Sequence, residues 1–139
     1  ASTQWDNHED DGFRLSQRGT GNLSLLMGLD EALDFHFELG PERVYNRIKS
    51  LGDYLRMRLK EIPGIKIFTP LESSMTAGIT VYNIEGLTGN FIQDELWRRG
   101  RLRPRSMGDI YGVRQSTHIY NSFEEIDRTI SILKELASG

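Results

Sequence analysis

The chain has 139 residues, with 27% charged and 37% hydrophobic side chains and a formal net charge of −3. That composition suits one soluble globular domain with a modest core, and it excludes a disordered segment. The charge is too near zero to argue for nucleic acid or an acidic membrane. With no cysteine there is neither a disulfide framework nor thiolate chemistry.

No apolar run reaches the roughly 20 residues that span a bilayer, and the N-terminus has no signal-peptide pattern. The expectation is a cytoplasmic protein. Residues 1–12 gather Asp6, His8, Glu9, Asp10 and Asp11 around Trp5, but no ligand spacing supports a metal, so the segment reads as solvated. In Arg18-Gly19-Thr20-Gly21-Asn22, two glycines flank a threonine ahead of an apolar run. Such a stretch can aim N–H groups and a hydroxyl at an anion, or can simply open a helix; it lacks the lysine and spacing of a P-loop.

A helix is predicted from about Leu23 to Leu39, with Leu25, Leu26, Leu29, Leu33 and Phe37 at three- and four-residue steps. Gly40 ends it, and Pro41 opens a second helix at the first helical position. Val44, Ile48, Leu51, Leu55, Leu59 and Ile62 form one apolar stripe there; Arg43, Arg47, Lys49, Asp53, Arg56, Arg58 and Lys60 lie mostly off it. Pro63-Gly64 stops that helix. Strands are predicted over 65–69 and 77–84, separated by a loop over 71–76, and a short helix over 90–99 is closed by Gly100.

Arg98, Arg99, Arg101, Arg103 and Arg105 place five arginines in eight residues. Clustered arginines can neutralise phosphates. The acidic balance of the chain and the lack of interleaved aromatics favour a solvated edge strand, with Arg101, Arg103 and Arg105 on one side and Pro104 tolerated at the edge. A turn at Met107–Ile110 returns the chain along Tyr111–Tyr120 as a hairpin partner.

That return strand carries the densest signal. Val113, Gln115, Thr117 and Ile119 alternate with Arg114, Ser116, His118 and Tyr120, and Ser122 with Glu125 then forms a capping box for a helix from Phe123 to about Ala137. Arg114, Ser116, His118 and Tyr120 would share one face. That face is either an ordinary wet side or an anion site, in which Arg114 offers a planar fork suited to a carboxylate. The element order predicts an α+β fold: a small, largely antiparallel sheet with helices on one face, preceded by a long connecting helix. The natural boundary falls near residue 40, giving a linking segment over 1–40 and a compact domain over 41–139.

Arg18-Gly19-Thr20-x-Asn22, Ala32-Leu-Asp-Phe35, Leu39-Gly40-x-Glu42-Arg43, Val113-Arg114-x-Ser116-x-His118-Ile-Tyr120-Asn121 and Glu124-Glu125-Ile-Asp127, taken in order, resemble the C-terminal part of the class V aminotransferases. These are fold-type I enzymes that use pyridoxal 5′-phosphate. The pattern is nearest to isopenicillin-N-epimerase-like and cysteine-desulfurase-like members, and it runs from about Trp5 to Leu136.

The resemblance implies that Arg114 pairs with the α-carboxylate of an amino-acid substrate. It also implies that Gly19 and Thr20 reach across a homodimer interface to the cofactor phosphate of the other subunit. Arg18, Ser116, His118 and Tyr120 match the pattern without a catalytic role. Gln115 stands where many relatives carry a small apolar or hydroxyl residue. The family's cofactor-bearing lysine follows a histidine in a domain N-terminal to this stretch; Lys49, Lys60, Lys66 and Lys134 do not follow one. On that resemblance the chain holds no catalytic residue, would be inactive alone, and belongs to an absent larger domain. A stand-alone module binding an anion or acidic partner through residues 98–105 or 114–120 is the competing reading, and a dimerisation domain with no ligand of its own is the third.

Overall fold

The computed structural model describes residues 21–139. The acidic segment around Trp5 and the Arg18, Gly19 and Thr20 stretch lie outside them. The chain divides into two compact units after Leu39.

In the first unit, helix α1 runs Leu23–Leu39. Asn22 starts it, its Oδ1 accepting the N–H of Leu25 at 3.2 Å, which satisfies one of the helix's unpaired N-terminal donors. Leu25, Leu26, Leu29 and Phe37 fall on the expected face, and all are exposed.

The second unit, Gly40–Gly139, begins with helix α2, Pro41–Leu59. Proline at the first helical position gives up an N–H that would have no partner there anyway. Strands β1 (Ile65–Ile67) and β2 (Ile79–Ile84) follow, separated by a single 3₁₀ turn, Ser73–Met75. Helix α3 spans Gly89–Gly100, with Thr88 accepting the Phe91 N–H at its start. Strand β3 is Arg105–Ser106, α4 is one helical turn at Gly108–Tyr111, β4 is Val113–Ser116, and α5 is Phe123–Ser138. The Ser122–Glu125 capping box is present in both directions.

The four strands form one antiparallel sheet in the order β1-β2-β4-β3. Alternation along the central strands separates two faces. Thr80, Tyr82 and Ile84 of β2 and Val113 of β4 are buried toward the helices. There they join Leu51, Leu55 and Leu59 of α2, Ile92 and Leu96 of α3, and Ile126, Ile130 and Leu133 of α5 in one core. The α+β fold, the antiparallel sheet and the helical layer on one face are therefore as expected.

The observed strands are shorter than predicted. The strand expected over 101–105 is reduced to Arg105–Ser106, because Arg101 takes a left-handed conformation (φ 56°) that turns the chain at the end of α3. Pro104 is buried instead of lying on an open edge. The strand expected to reach Tyr120 ends at Ser116. Arg56, off the apolar stripe of α2, is only 3% exposed. Its guanidinium donates to the Ala77 carbonyl at 3.1 Å and the Thr80 hydroxyl at 3.1 Å, and pairs with Asp53 at 2.6 Å. Four residues earlier, at Gly52, a Cβ would collide with the Ala77 carbonyl, so the helix and the entry to β2 meet backbone to backbone.

Candidate functional site

The face of the sheet turned away from α2, α3 and α5 centres on β4. Val113 points into the core, so Arg114 points away from the helices. It lies opposite Val81 on β2 and opposite Arg105 on β3. Its Nε is buried and has no hydrogen-bond partner, the one such side-chain atom among the described residues. A buried guanidinium N–H without a partner is costly in free energy.

The next residue works from the opposite side. Gln115 Oε1 accepts the Tyr82 hydroxyl at 2.9 Å, and its Nε2 donates to Thr129 Oγ1 at 3.3 Å. Thr129 in turn donates to the Glu125 carbonyl at 2.9 Å. Burial pushes the Tyr82 hydroxyl well above the usual phenol range, so it stays a neutral donor. Gln115 thereby ties β4 to β2 and α5 from below.

Ser116, the last residue of β4 and opposite Ile79, shares the Arg114 face, whereas His118 and Tyr120 lie beyond the strand. The Thr117 N–H still reaches the Gly78 carbonyl at 2.8 Å, but the chain then turns. Asn121 Oδ1 accepts the His118 N–H at 2.8 Å, and the Asn121 N–H donates to the His118 carbonyl at 3.0 Å. This side-chain-to-backbone turn replaces the strand ladder, as asparagine commonly does. His118 and Tyr120 are exposed on the turn, their rings 5.0 Å apart. Arg47 fixes the turn from α2 by donating to the Asn121 carbonyl at 2.9 Å.

The arginine cluster is not a uniform basic patch. Arg98 grips Glu95 with two bonds of 2.9 and 2.7 Å, and Arg99 bridges Glu95 at 2.6 Å and Glu135 at 3.0 Å. Arg101 and Arg103 lie over the Trp97 ring at 5.3 and 5.6 Å, so an aromatic does accompany the cluster. Arg105 alone of the five sits in the sheet.

The hydrogen bonds from Arg98, followed by those from Arg99, hold the Glu95 carboxyl down at about 2. A carboxylate with a depressed folded value stabilises the fold above its unfolded value of roughly 4.3, and that contribution is lost as pH falls through the folded one. The urea midpoint of the chain is thus expected to fall between about pH 4.5 and 2, and Glu95→Gln should flatten that acid limb while leaving the shape above pH 6 unchanged. An identical acid limb in both proteins would remove Glu95 from the account.

The described lysines take structural positions. Lys49 donates to Ser73 and pairs with Asp53 at 3.5 Å, Lys134 pairs with Glu61 at 2.9 Å, Lys66 stands 5.0 Å from the Phe68 ring centre, and Lys60 is exposed at the end of α2. Among the described residues no group of three metal-ligating side chains converges, and no helix is long and apolar enough to cross a membrane.

Residues 10–129 match the family described as aminotransferase class-V. The chain belongs to the class V aminotransferases. It is 30% identical over 126 residues to isopenicillin N epimerase of Streptomyces clavuligerus, covering 88% of this chain and 32% of that protein. A cysteine desulfurase from Thermococcus onnurineus NA1, solved in its apo form, superposes with a TM-score of 0.76 at 23% identity over 87% of this chain and 32% of that one. A variant of C-DES with glycine covalently linked to its pyridoxal-phosphate cofactor superposes with a TM-score of 0.65 at 24% identity, over 75% of this chain and 27% of that one. Class V enzymes work with pyridoxal 5′-phosphate. The chain spans about a third of the length of the epimerase it matches.

Proposed function

We propose that this chain is the C-terminal part of a homodimeric, cytoplasmic pyridoxal-phosphate enzyme that acts on an amino acid, with the segment over 1–40 linking the domain over 41–139 to a larger N-terminal domain. The observation that carries this reading is the buried Arg114 Nε with no acceptor, on the sheet face turned away from the main helices of a class V domain. Arg114 binds and orients the substrate α-carboxylate through a bidentate pair; its strand mount, backed by Gln115, limits the rotation of that pair. Gly19 and Thr20 hold the cofactor phosphate of the partner subunit with an N–H and a hydroxyl. When bound, the cofactor supplies an electron sink for the substrate carbanion. The reaction is a transamination, an epimerisation, or a cleavage at sulfur, in keeping with relatives that include an epimerase and a desulfurase.

The lysine that carries the cofactor lies outside this chain. In the holoenzyme, borohydride reduction followed by peptide mapping is expected to place the cofactor label on a lysine N-terminal to these 139 residues, and the chain alone should retain no cofactor after gel filtration. A label on Lys49, Lys60, Lys66 or Lys134 would overturn the assignment. The stand-alone binding module is less favoured, because Arg98 and Arg99 are already paired with Glu95 and Glu135.

A further inference from the structure

On the β2 and β1 side, the cross-strand row that contains Arg114 is apolar. Arg114 lies opposite Val81, and the Phe68 N–H donates to the Val81 carbonyl at 2.9 Å, which carries the row on to Phe68. Ile65 and Ile67 of β1 pack against the core, so alternation turns Lys66 and Phe68 to the Arg114 face, where Lys66 Nζ stands 5.0 Å from the Phe68 ring centre. The Tyr111 ring meets Phe68 edge to face at 5.1 Å, which puts Tyr111 on that face too. Val81 and Ile79 share it and stand outside the core, and Ile79 and Tyr111 are exposed.

The turn that carries Tyr111 is held from three sides. Its ends close on each other: the Gly112 N–H donates to the Gly108 carbonyl at 2.9 Å, and the Met107 N–H donates to the Gly112 carbonyl at 2.8 Å. Asn83 of β2, itself buried, donates through Nδ2 to the Asp109 carbonyl at 2.7 Å. At Gly89, where α3 begins, a Cβ would collide with the Gly112 and Gly108 carbonyls, so α4 is pressed backbone to backbone against α3. Tyr111 is thus fixed at its backbone and braced on Phe68, while its ring stays open to a ligand, the arrangement that lowers the ordering cost of binding. Val81, the floor beside it, is roughly 4.5–5.5 Å from Arg114 between Cα atoms. A molecule whose carboxylate is held by Arg114 therefore has its remaining atoms next to this apolar row.

We infer that Val81, Phe68 and Tyr111 receive the side chain of the substrate, and that the enzyme takes an amino acid whose side chain is apolar. This rests on the reading of Arg114 as the α-carboxylate ligand. In that arrangement Arg114 sets affinity for amino acids in general, and Tyr111 sets which side chain is accepted. A polar side chain laid on this row would give up its water for Val81 and two aromatic rings, without a hydrogen bond in return from the valine or the phenylalanine.

The test uses the full-length holoenzyme with two probes, leucine and asparagine, which have nearly the same branched shape and differ in polarity at the tip. Dissociation constants from calorimetry are compared for wild type, Tyr111→Phe, Tyr111→Ser, Val81→Thr and Arg114→Gln, with a thermal melt of each. Wild type is expected to favour leucine by about tenfold or more, the scale of burying one aliphatic side chain. Tyr111→Phe should keep that preference. Tyr111→Ser should reduce it to about twofold with asparagine unchanged within about twofold, and Val81→Thr, which sets a hydroxyl in the floor at almost constant shape, should reduce it in part. Equal handling of the two probes by wild type, or a preference for asparagine, would overturn the inference. So would a Tyr111→Ser change that weakens both alike, or one that lowers the thermal midpoint with the ratio intact, since the ring would then be packing against another part of the enzyme. If Arg114→Gln moves neither probe while Tyr111→Ser still abolishes the preference, the α-carboxylate reading of Arg114 falls and the apolar-side-chain specificity stands.

Discussion

In the full-length enzyme, Arg114→Gln is expected to raise KM for the amino acid by about ten- to a hundredfold. The estimate follows from the geometry. A charge-assisted pair contributes roughly 1.5–3 kcal/mol, and each 1.4 kcal/mol is a factor of ten. The strand holds the guanidinium with its Nε already desolvated and unpartnered, so the cost of ordering the donor is met before the ligand arrives. Lysine at this position should not rescue binding, because a point charge cannot reproduce the two-pronged contact. The variant should also reveal a cost of function. Arg114→Leu removes a buried donor that lacks a partner, so the thermal midpoint of the ligand-free protein should stay level or rise. Steady-state kinetics and a thermal melt on the same samples decide the matter; an unchanged KM would end the assignment of Arg114 to the substrate carboxylate.

The second large effect is expected at Gly112, immediately before β4. Its backbone (φ 68°, ψ −109°) lies in a region that side chains other than glycine's rarely adopt. A Cβ there would also meet the Tyr82 carbonyl, the Asn83 Oδ1 at 2.6 Å and the Asn83 Cα at 2.7 Å. Backbone strain of about 1–3 kcal/mol and overpacking of a similar size together predict a loss of roughly 2–6 kcal/mol for Gly112→Ala. For a domain of about a hundred residues, each kilocalorie moves the thermal midpoint by roughly 4–8 °C. Gly86 provides the control: its φ is 81°, yet nothing lies within contact of a Cβ there. Urea unfolding of Gly86→Ala isolates the cost of the backbone angle, and Gly112→Ala should lose at least 1 kcal/mol more. Equal losses would mean that β2 yields to the added methyl group and that the approach to Arg114 is not rigidly set.

How much of this was legible depends on how local each signal was. The α2 stripe Leu51-Leu55-Leu59 and the Ser122–Glu125 capping box both lie within a few residues of chain, and both appear as expected. The ends of the strands were not legible, because a strand stops where its partner stops. β4 loses its ladder after the Thr117–Gly78 bond, and the Asn121 turn then takes over the backbone donors. The burial of Arg56 was not legible either, because its acceptors, Ala77 and Thr80, lie far along the chain. Gly52, in the middle of α2, was the available hint, since a helix interior tolerates glycine at a cost and usually for close approach. At the site, the alternation that aims Arg114 outward could be read directly. Its pairing with Arg105 could not, since the cluster 101–105 reads as one continuous strand until Arg101 turns the chain.

The polar chain from Tyr82 through Gln115 to Thr129 has a consequence for how the sheet assembles. β4 is short, and a shift of one residue in its pairing would exchange the two sides of the ribbon. The shifted strand would drive Arg114 beneath three helices and lift Gln115 into water, stranding the Tyr82 hydroxyl and a full positive charge in a greasy interior. Neither penalty has a remedy there, because that layer is built from leucine and isoleucine. The amide and the guanidinium, adjacent in sequence and opposite in direction, thus act as a lock that rejects misaligned folding before any ligand is met.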